Sequence, residues 1–327
     1  MTGLSDSFQR PINYLRISVT DRCNLRCIYC MPAQGIPLMT HSDILGYEEI
    51  YTVASAAAEL GISKIRITGG EPLVRIGLPD LIRMLSGIES IDDISLTTNG
   101  VLLAPRAAEL KAAGLHRVNV SLDSLKPEKF KQITRCGNLE DVLNGIEAAN
   151  AAGLKPVKVN TVVMAGINDD ELRDFAARTI TEGWHVRFIE LMPSTSANTD
   201  TAQLLSVSEM KQRLELLGKL EPCSVARGNG PAKYFRLPDA RGTIGFITPV
   251  SEHFCFCCNR IRLTADGKLR PCLLSDTEID IKQALRNGAS TAEIQKLIKE
   301  AIARKPQSHD LANGSVPQGC SFSQVGG

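Results

Sequence analysis

The chain has 327 residues, 37 Lys plus Arg against 36 Asp plus Glu, 43% hydrophobic residues and ten cysteines. That length fits about two average domains, or one α/β barrel with an extension, and can bury a core without disulfides. Near-zero net charge argues against broad binding to nucleic acid or anionic membrane. No apolar run reaches the ~18 residues of a membrane span, and the opening MTGLSDSFQRPINY lacks a signal-like apolar core, so the expected setting is cytoplasmic.

In a reducing compartment clustered cysteines hold metal or do chemistry more often than they form bridges. Here Cys23, Cys27 and Cys30 stand near the start, and Cys255, Cys257, Cys258 and Cys272 near the end. Cys136, Cys223 and Cys320 are scattered and read as incidental thiols.

The first predicted strand, Leu15–Thr20, runs straight into Thr20-Asp-Arg-Cys23-Asn-Leu-Arg-Cys27-Ile-Tyr-Cys30. Three thiolates at C-x3-C-x2-C spacing can hold three irons of a four-iron cluster and leave the fourth open. Zinc is the rival, but structural zinc normally takes four protein ligands and no fourth is close by. A helix is predicted over Glu48–Leu60, then a strand over Lys64–Thr68 that leads into Gly69-Gly70-Glu71-Pro72, where glycines let the backbone approach a ligand. Helix Leu78–Ser86, strand Ile94–Thr98, helix Ala104–Ala113, strand Arg117–Leu122 and helix Leu139–Ala152 follow. Then come strand Lys155–Val163, helix Asp170–Glu182, strand His185–Leu191 and helix Val207–Leu217. Gly61, Gly114, Gly153 and Gly183 stand where left-handed helix ends need glycine. Asp169 and Asp170 offer N-cap oxygens.

Strand–helix alternation argues for parallel βαβ units. The strands themselves alternate: Leu15, Ile17 and Val19 oppose Arg16, Ser18 and Thr20, Ile65 and Ile67 oppose Lys64, Arg66 and Thr68, Val118 and Val120 oppose Arg117, Asn119 and Ser121, and Val157 and Val159 oppose Lys158 and Asn160. Successive strand side chains point to opposite faces. The apolar set therefore meets the helices, and a cation-rich set faces the other way. A closed eight-stranded barrel fills itself with branched aliphatics. The expected fold is thus an incomplete parallel (β/α)6 TIM-type barrel, wide enough for a polar ligand. A sheet with one solvated face is the alternative.

Beyond residue 190 turn signals multiply, and this part is expected to cover or extend the barrel. The division expected is 1–220, the partial barrel, and 221–327, a C-terminal cluster-binding extension with helices at Glu278–Asn287 and Thr291–Ala303. Taking Cys255, Cys258 and Cys272 gives C-x2-C-x13-C, again three ligands with room for a fourth. Spacing alone leaves an iron–sulfur cluster and zinc evenly matched, since Cys257 or His253 could complete a zinc site. Arg260 and Arg262 alternate on a short strand after Cys258, and arginine forks suit phosphate oxygens.

The C-x3-C-x2-C motif after the first strand and the GGEP turn after the second resemble the radical S-adenosylmethionine (SAM) superfamily. That resemblance implies a cluster held by Cys23, Cys27 and Cys30, with SAM on its open iron as source of a 5′-deoxyadenosyl radical, and Tyr29 and Gly70 against the cofactor. The longer runs NYLRISVTDRCNLRC, KIRITGGEPLVR, TTNG, NVSLDSL and CNRIRLTADGKLRPCL are similar to the GTP 3′,8-cyclase family of molybdenum cofactor biosynthesis. This closer resemblance implies removal of the ribose 3′ hydrogen of GTP and bonding of that carbon to C8 of guanine. It further implies a second four-iron cluster on Cys255, Cys258 and Cys272 that binds the purine. GTP contacts are implied at Arg16, Arg66, Thr97, Lys158, Arg260 and Arg262, with Arg16, Arg260 and Arg262 taking a catalytic part. Ser121 and Met192 join Tyr29 and Gly70 around SAM. The terminal Gly326-Gly327 is implied to reach toward the site. Implied partners are an electron donor, the downstream cyclic pyranopterin monophosphate synthase and a second copy in a homodimer. Cys257 departs from the family pattern and is expected to be a bystander. A peptide-modifying radical SAM enzyme with an auxiliary cluster is a weaker reading, and so is a zinc-stabilised nucleic-acid module, which the absence of a basic stretch disfavours.

Overall fold

The computed structural model describes residues 3–193, 203–224, 230–309 and 311. In chain order these form β1 (Tyr14–Ser18), α1 (Tyr47–Glu59), β2 (Lys64–Thr68), α2 (Leu78–Ser86), β3 (Asp93–Thr98), α3 (Ala107–Ala112), β4 (Arg117–Ser121), α4 (Pro127–Thr134) and α5 (Leu139–Ala151). There follow β5 (Lys158–Ala165), α6 (Leu172–Thr181), β6 (His185–Glu190), β7 (Gln203–Leu204), α7 (Val207–Leu214), β8 (Glu221–Pro222), β9 (Lys233–Arg236), β10 (Thr243–Ile247), β11 (Arg260–Leu263), β12 (Lys268–Arg270), β13 (Ile279–Asp280), α8 (Lys282–Arg286) and α9 (Thr291–Ala303). No helix among the described residues is long and apolar enough to cross a membrane.

The sheet runs β13-β12-β11-β1-β2-β3-β4-β5-β6-β10-β9-β8. Each of β1 to β6 pairs in parallel with the next. The parallel run continues to β11 beyond β1 and to β10 beyond β6. Antiparallel β12 and β13 flank one end, β9 and β8 the other. The path does not close on itself, so the barrel is incomplete, as the polar strand faces predict. The later strands do more than cover it: they extend the same sheet at both edges. β10 escapes a reading of the sequence because Gly245 interrupts its apolar run and turn signals crowd it.

Leu15, Ile17, Ile65, Ile67, Ile94, Leu96, Val118, Val120 and Val159 pack with residues of α1, α2, α3, α5 and α6 in one core. Local chemistry sets the helix ends. Ser290 and Glu293 form a capping box on α9, which satisfies otherwise orphaned first-turn amides. Gly61, Gly114, Gly153 and Gly183 all take positive φ, as expected. Several expectations fail locally. Pro105 lies in a 3-10 turn before the shorter α3. Asp169 and Asp170 do not cap α6, because Asp169 accepts from Gly166 N and Asp170 pairs with Lys126 and Lys129. The helix expected over Glu278–Asn287 begins as β13 and becomes helical only at Lys282. α4, with Pro at its start, was not expected.

Candidate active site

The first cysteine loop leaves the C-terminal end of β1 and is tied down from both sides. On one side, Gly70 N donates to Thr20 O at 2.8 Å and Glu71 N to Arg22 O at 2.8 Å. A Cβ on Gly70 would stand 2.3 Å from Arg22 O, so the glycine is required by close approach of two backbones. The Glu71 carboxylate accepts from Leu73 N at 3.0 Å, Thr98 Oγ1 at 2.7 Å and Asn99 N at 2.7 Å. Burial nevertheless pushes it up to about 7. Asn99 continues the chain of contacts, donating to Asn24 Oδ1 at 2.8 Å and to the Cys23 sulfur at 3.9 Å.

On the other side stands the C-terminal end of α4. Arg26 N and Ile28 N each donate across 3.0 Å, to Thr134 O and Ile133 O. The Arg135 guanidinium reaches Arg26 O at 2.8 Å and Met31 O at 2.9 Å. Tyr29 donates its hydroxyl to Asp123 at 2.8 Å, and burial lifts that carboxyl to about 6 despite the bonds it accepts. Cys23, Cys27 and Cys30 border one cavity together with Tyr29, Gly70, Ser121 and Met192. Burial raises Cys23 to about 11 and Cys27 well above the ordinary thiol value. Bare thiolates are penalised there, and a bound metal cation that offsets their charge relieves the penalty. Leu25 N points at the Cys23 sulfur at 3.4 Å, the kind of amide–sulfur contact that suits iron–sulfur ligation. Among the described residues no three His, Cys, Asp or Glu are gathered as for a single metal ion. Three thiols bordering one cavity, with an amide aimed at one sulfur, are a donor set that fits a four-iron cluster with one open iron.

A second cavity adjoins the first; both are lined by Thr97, Asn160, Ile189 and Met192. Its floor is cationic. Sheet register places Arg270, Arg262, Arg16 and Arg66 side by side on β12, β11, β1 and β2, followed by Ser95 and Arg117. Like charges on neighbouring strands repel, so this row is a standing cost that an anion would offset. At the two ends of the row Arg117 is neutralised by Asp93, its Nε donating at 3.0 Å, and Arg270 by Glu278 at 3.1 Å. From the row, Arg66 bonds Thr97 at 3.4 Å, Asn119 reaches the same hydroxyl at 3.5 Å, and Arg187 donates to Asn119 at 2.6 Å. The Nε atoms of Arg66, Arg187 and Arg260 and the Oδ1 of Asn160 are buried without a hydrogen-bond partner. Burial draws Arg187 and Arg262 down to about 10, still charged at neutral pH. Burial, with Arg187, Arg117 and Arg66 adding to it, brings Lys158 to about 7.

The same cavity carries the second triad. Cys255, Cys258 and Cys272 line this cavity with Arg16, Arg66, Arg260 and Arg262. Leu274 N points at the Cys272 sulfur at 3.4 Å. Cys257 is exposed and contacts Phe254 O at 3.4 Å, outside that lining. Cys136 is exposed, and its thiol meets Asn24 O at 3.4 Å. Cys320, Gly326 and Gly327 lie outside the described residues.

Thus Arg16, Arg66, Thr97, Arg260 and Arg262 come together with the second triad, and Tyr29, Gly70, Ser121 and Met192 with the first. Lys158 is not among the residues that line either cavity; it is buried, its ammonium 5.5 Å from the Tyr234 ring centre. Sequence reasoning placed Asn160 on the polar strand face without giving it a role, and missed Arg187, Asp123, Arg135 and Lys305, the last of which lines the second cavity. Arg187 continues the alternation that marked Arg16 and Arg66 and was findable by it. Lys305 carries no local signal.

At the level of fold the structure is similar to solved proteins with bound S-adenosylmethionine. Streptococcus suis SuiB bound to S-adenosylmethionine has a TM-score of 0.61 at 13% identity, over 82% of this chain and 63% of that one. The protein anSMEcpe with bound AdoMet has 0.57 at 15%, over 94% and 80%. Residues 17–178 match the profile of the Radical SAM superfamily, and residues 184–311 that of Molybdenum Cofactor Synthesis C. Fold, loop and profile define a radical SAM enzyme, a class that brings SAM and a four-iron cluster as cofactors. The GTP 3′,8-cyclase of Pelotomaculum thermopropionicum is 55% identical over 99% of this chain and all (100%) of the relative. That of Moorella thermoacetica is 54% identical with the same coverage. The chain belongs to the GTP 3′,8-cyclase family.

Proposed function

We propose that the chain converts GTP to (8S)-3′,8-cyclo-7,8-dihydroguanosine 5′-triphosphate, the first step of molybdenum cofactor biosynthesis and a lyase-type reaction. One observation supports the reading: two cysteine triads border two adjoining cavities, the second of which is also lined by Arg16, Arg66, Arg187, Arg260 and Arg262. The chemistry supplied by the bound cluster and SAM is one-electron cleavage, giving the 5′-deoxyadenosyl radical that takes the ribose 3′ hydrogen. In the substrate, the C3′–H bond breaks and a C3′–C8 bond forms. An electron from an external donor and a proton from solvent complete the dihydropurine.

The chain's own part is binding and orientation. Tyr29, Gly70, Ser121 and Met192 hold SAM beside Cys23, Cys27 and Cys30. Arg16, Arg66, Lys158, Arg260 and Arg262 hold the triphosphate, whose charges offset their mutual repulsion, and Arg187 joins them. Arginine forks and a lysine point charge both suit phosphate. Thr97 stands at the junction of the cavities, where substrate and cofactor must meet. Cys255, Cys258 and Cys272 hold a second four-iron cluster whose open iron takes the purine. Residues 1–220 then form the radical-generating part and 221–327 the substrate-side part, with Gly326-Gly327 reaching inward. The product goes to cyclic pyranopterin monophosphate synthase, and the enzyme works as a cytoplasmic homodimer.

The test is anaerobic reconstitution followed by SAM, reductant and GTP. 5′-Deoxyadenosine should form only with GTP present, and Cys23→Ala should abolish it. Release triggered by a peptide, and not by GTP, would transfer the chain to the peptide-modifying reading.

A further inference from the structure

Two buried cations reach the second cysteine triad from opposite ends of the chain. Arg10 is 5% exposed and Lys305 4%. Arg10 is oriented by Asp6, which accepts from its Nε at 2.6 Å. It donates to Cys255 O at 2.7 Å, Gln307 O at 2.8 Å and Pro306 O at 2.7 Å. Lys305, just past α9, donates its ammonium to Arg260 O at 2.8 Å and Pro271 O at 2.6 Å. The sulfurs of Cys258 and Cys272 are the groups that favour its charged form. Pro271 immediately precedes Cys272, and Arg260 stands two residues after Cys258. One ammonium therefore joins the two backbones that carry these cysteines, while its flank is strapped to the third cysteine by Arg10.

A buried ammonium is costly unless paired. Among the described residues no carboxylate lies within ion-pair distance of Lys305. Its available counter-charges are the sulfurs of Cys258 and Cys272, which must be deprotonated to ligate metal. Lys305 also lines the cavity shared with the triad, Arg260 and Arg262.

We propose that Lys305 is a positioning residue of the second triad. It fixes the spacing of Cys258 and Cys272 and sets a positive charge against their sulfurs; this rests on the second-cluster reading above. Charge and hydrogen bonds at cluster sulfurs govern both retention and reduction potential. A positive charge favours the more negative, reduced state, so its removal moves the potential down.

The experiment uses reconstituted full-length protein, with iron analysis, a chelator challenge and a redox titration followed by EPR. Wild type should carry about eight irons per chain. Lys305→Met should release the second cluster's iron ~10-fold or more faster, with the first cluster's SAM-perturbed spectrum unchanged. Lys305→Gln keeps donors for the two carbonyls but not the charge. It should retain the iron and show a more negative second midpoint, which a purely structural role would not move. Should Lys305→Met fail to fold, Lys305→Gln carries the test. Wild-type release and an unshifted midpoint in both variants, or an unshifted Lys305→Gln if only that folds, would overturn the proposal. About four irons in wild type would instead sink the second-cluster reading, and the proposal with it.

Discussion

Tyr29 donates its hydroxyl to Asp123 at 2.8 Å, joining the first cysteine loop to the C-terminal end of β4. The tyrosine lies between two cysteines, and the aspartate accepts a second bond from Val162 N at 2.8 Å. The ring is thereby fixed against the cavity it lines. Tyr29→Phe leaves a buried acceptor short of one donor, a loss of ~1–3 kcal/mol. Iron content should stay at the wild-type level, while SAM binds about tenfold more weakly, as calorimetry on the reconstituted protein would read. Unchanged SAM affinity would assign the bond to loop stability alone.

Gly70 faces Arg22 O, and any side chain there meets backbone that cannot move without shifting the cysteine loop. Gly70→Ala should lower stability by ~1–3 kcal/mol, the usual range for overpacking. It should also reduce iron incorporation at the first cluster. Thermal unfolding and iron analysis check the two effects separately. A variant with full iron content would show that the loop can retreat.

Much of this site was legible before folding because strand alternation exposes it. Arg16, Arg66 and Lys158 each oppose apolar neighbours that the core requires, so their facing followed from period alone. Gly70 was legible as a close approach, though the surface approached is the chain's own Arg22 carbonyl. What stayed hidden depends on long-range contact. Asp123 acquires its role from Tyr29, 94 residues away, and Lys305 from backbone 34 and 45 residues earlier. β10 and β11 join the barrel at opposite edges, and neither edge is encoded near the strand that meets it.

Lys158 gives the site a pH dependence. Its folded value of about 7 lies below the ~10.4 of an unfolded lysine. Between those values the unfolded chain holds a proton that the folded chain lacks, so this group's contribution to stability rises with pH across the window. Below about 7 the folded state bears the whole cost of the buried ammonium. A triphosphate reverses the preference by favouring the charged form. GTP binding should therefore take up protons above about pH 7 and weaken as pH rises, by at most about tenfold per unit. Calorimetry in buffers of different ionisation enthalpy measures the uptake. Lys158→Met should bind more weakly with a flatter profile, and the same uptake in that variant would refer it to another group.

Arg135 brings backbone strain and cluster support together in one residue. Its φ is +66°, a conformation that costs a non-glycine residue ~1–2 kcal/mol. Its guanidinium bonds Arg26 O and Met31 O, which bracket the segment holding Cys27 and Cys30. The strain is tolerated because the left-handed residue turns the chain out of α4 and aims that guanidinium at the loop. Two substitutions separate the effects. Arg135→Ala loses the bonds and keeps the strain, whereas Arg135→Gly loses the bonds and relieves it. The glycine variant should unfold later than the alanine variant by ~1 kcal/mol, yet both should release first-cluster iron to a chelator ~10-fold faster than wild type. If iron retention instead followed stability, with glycine holding the cluster as wild type does, the backbone turn alone would brace the loop and the guanidinium would have no part in it.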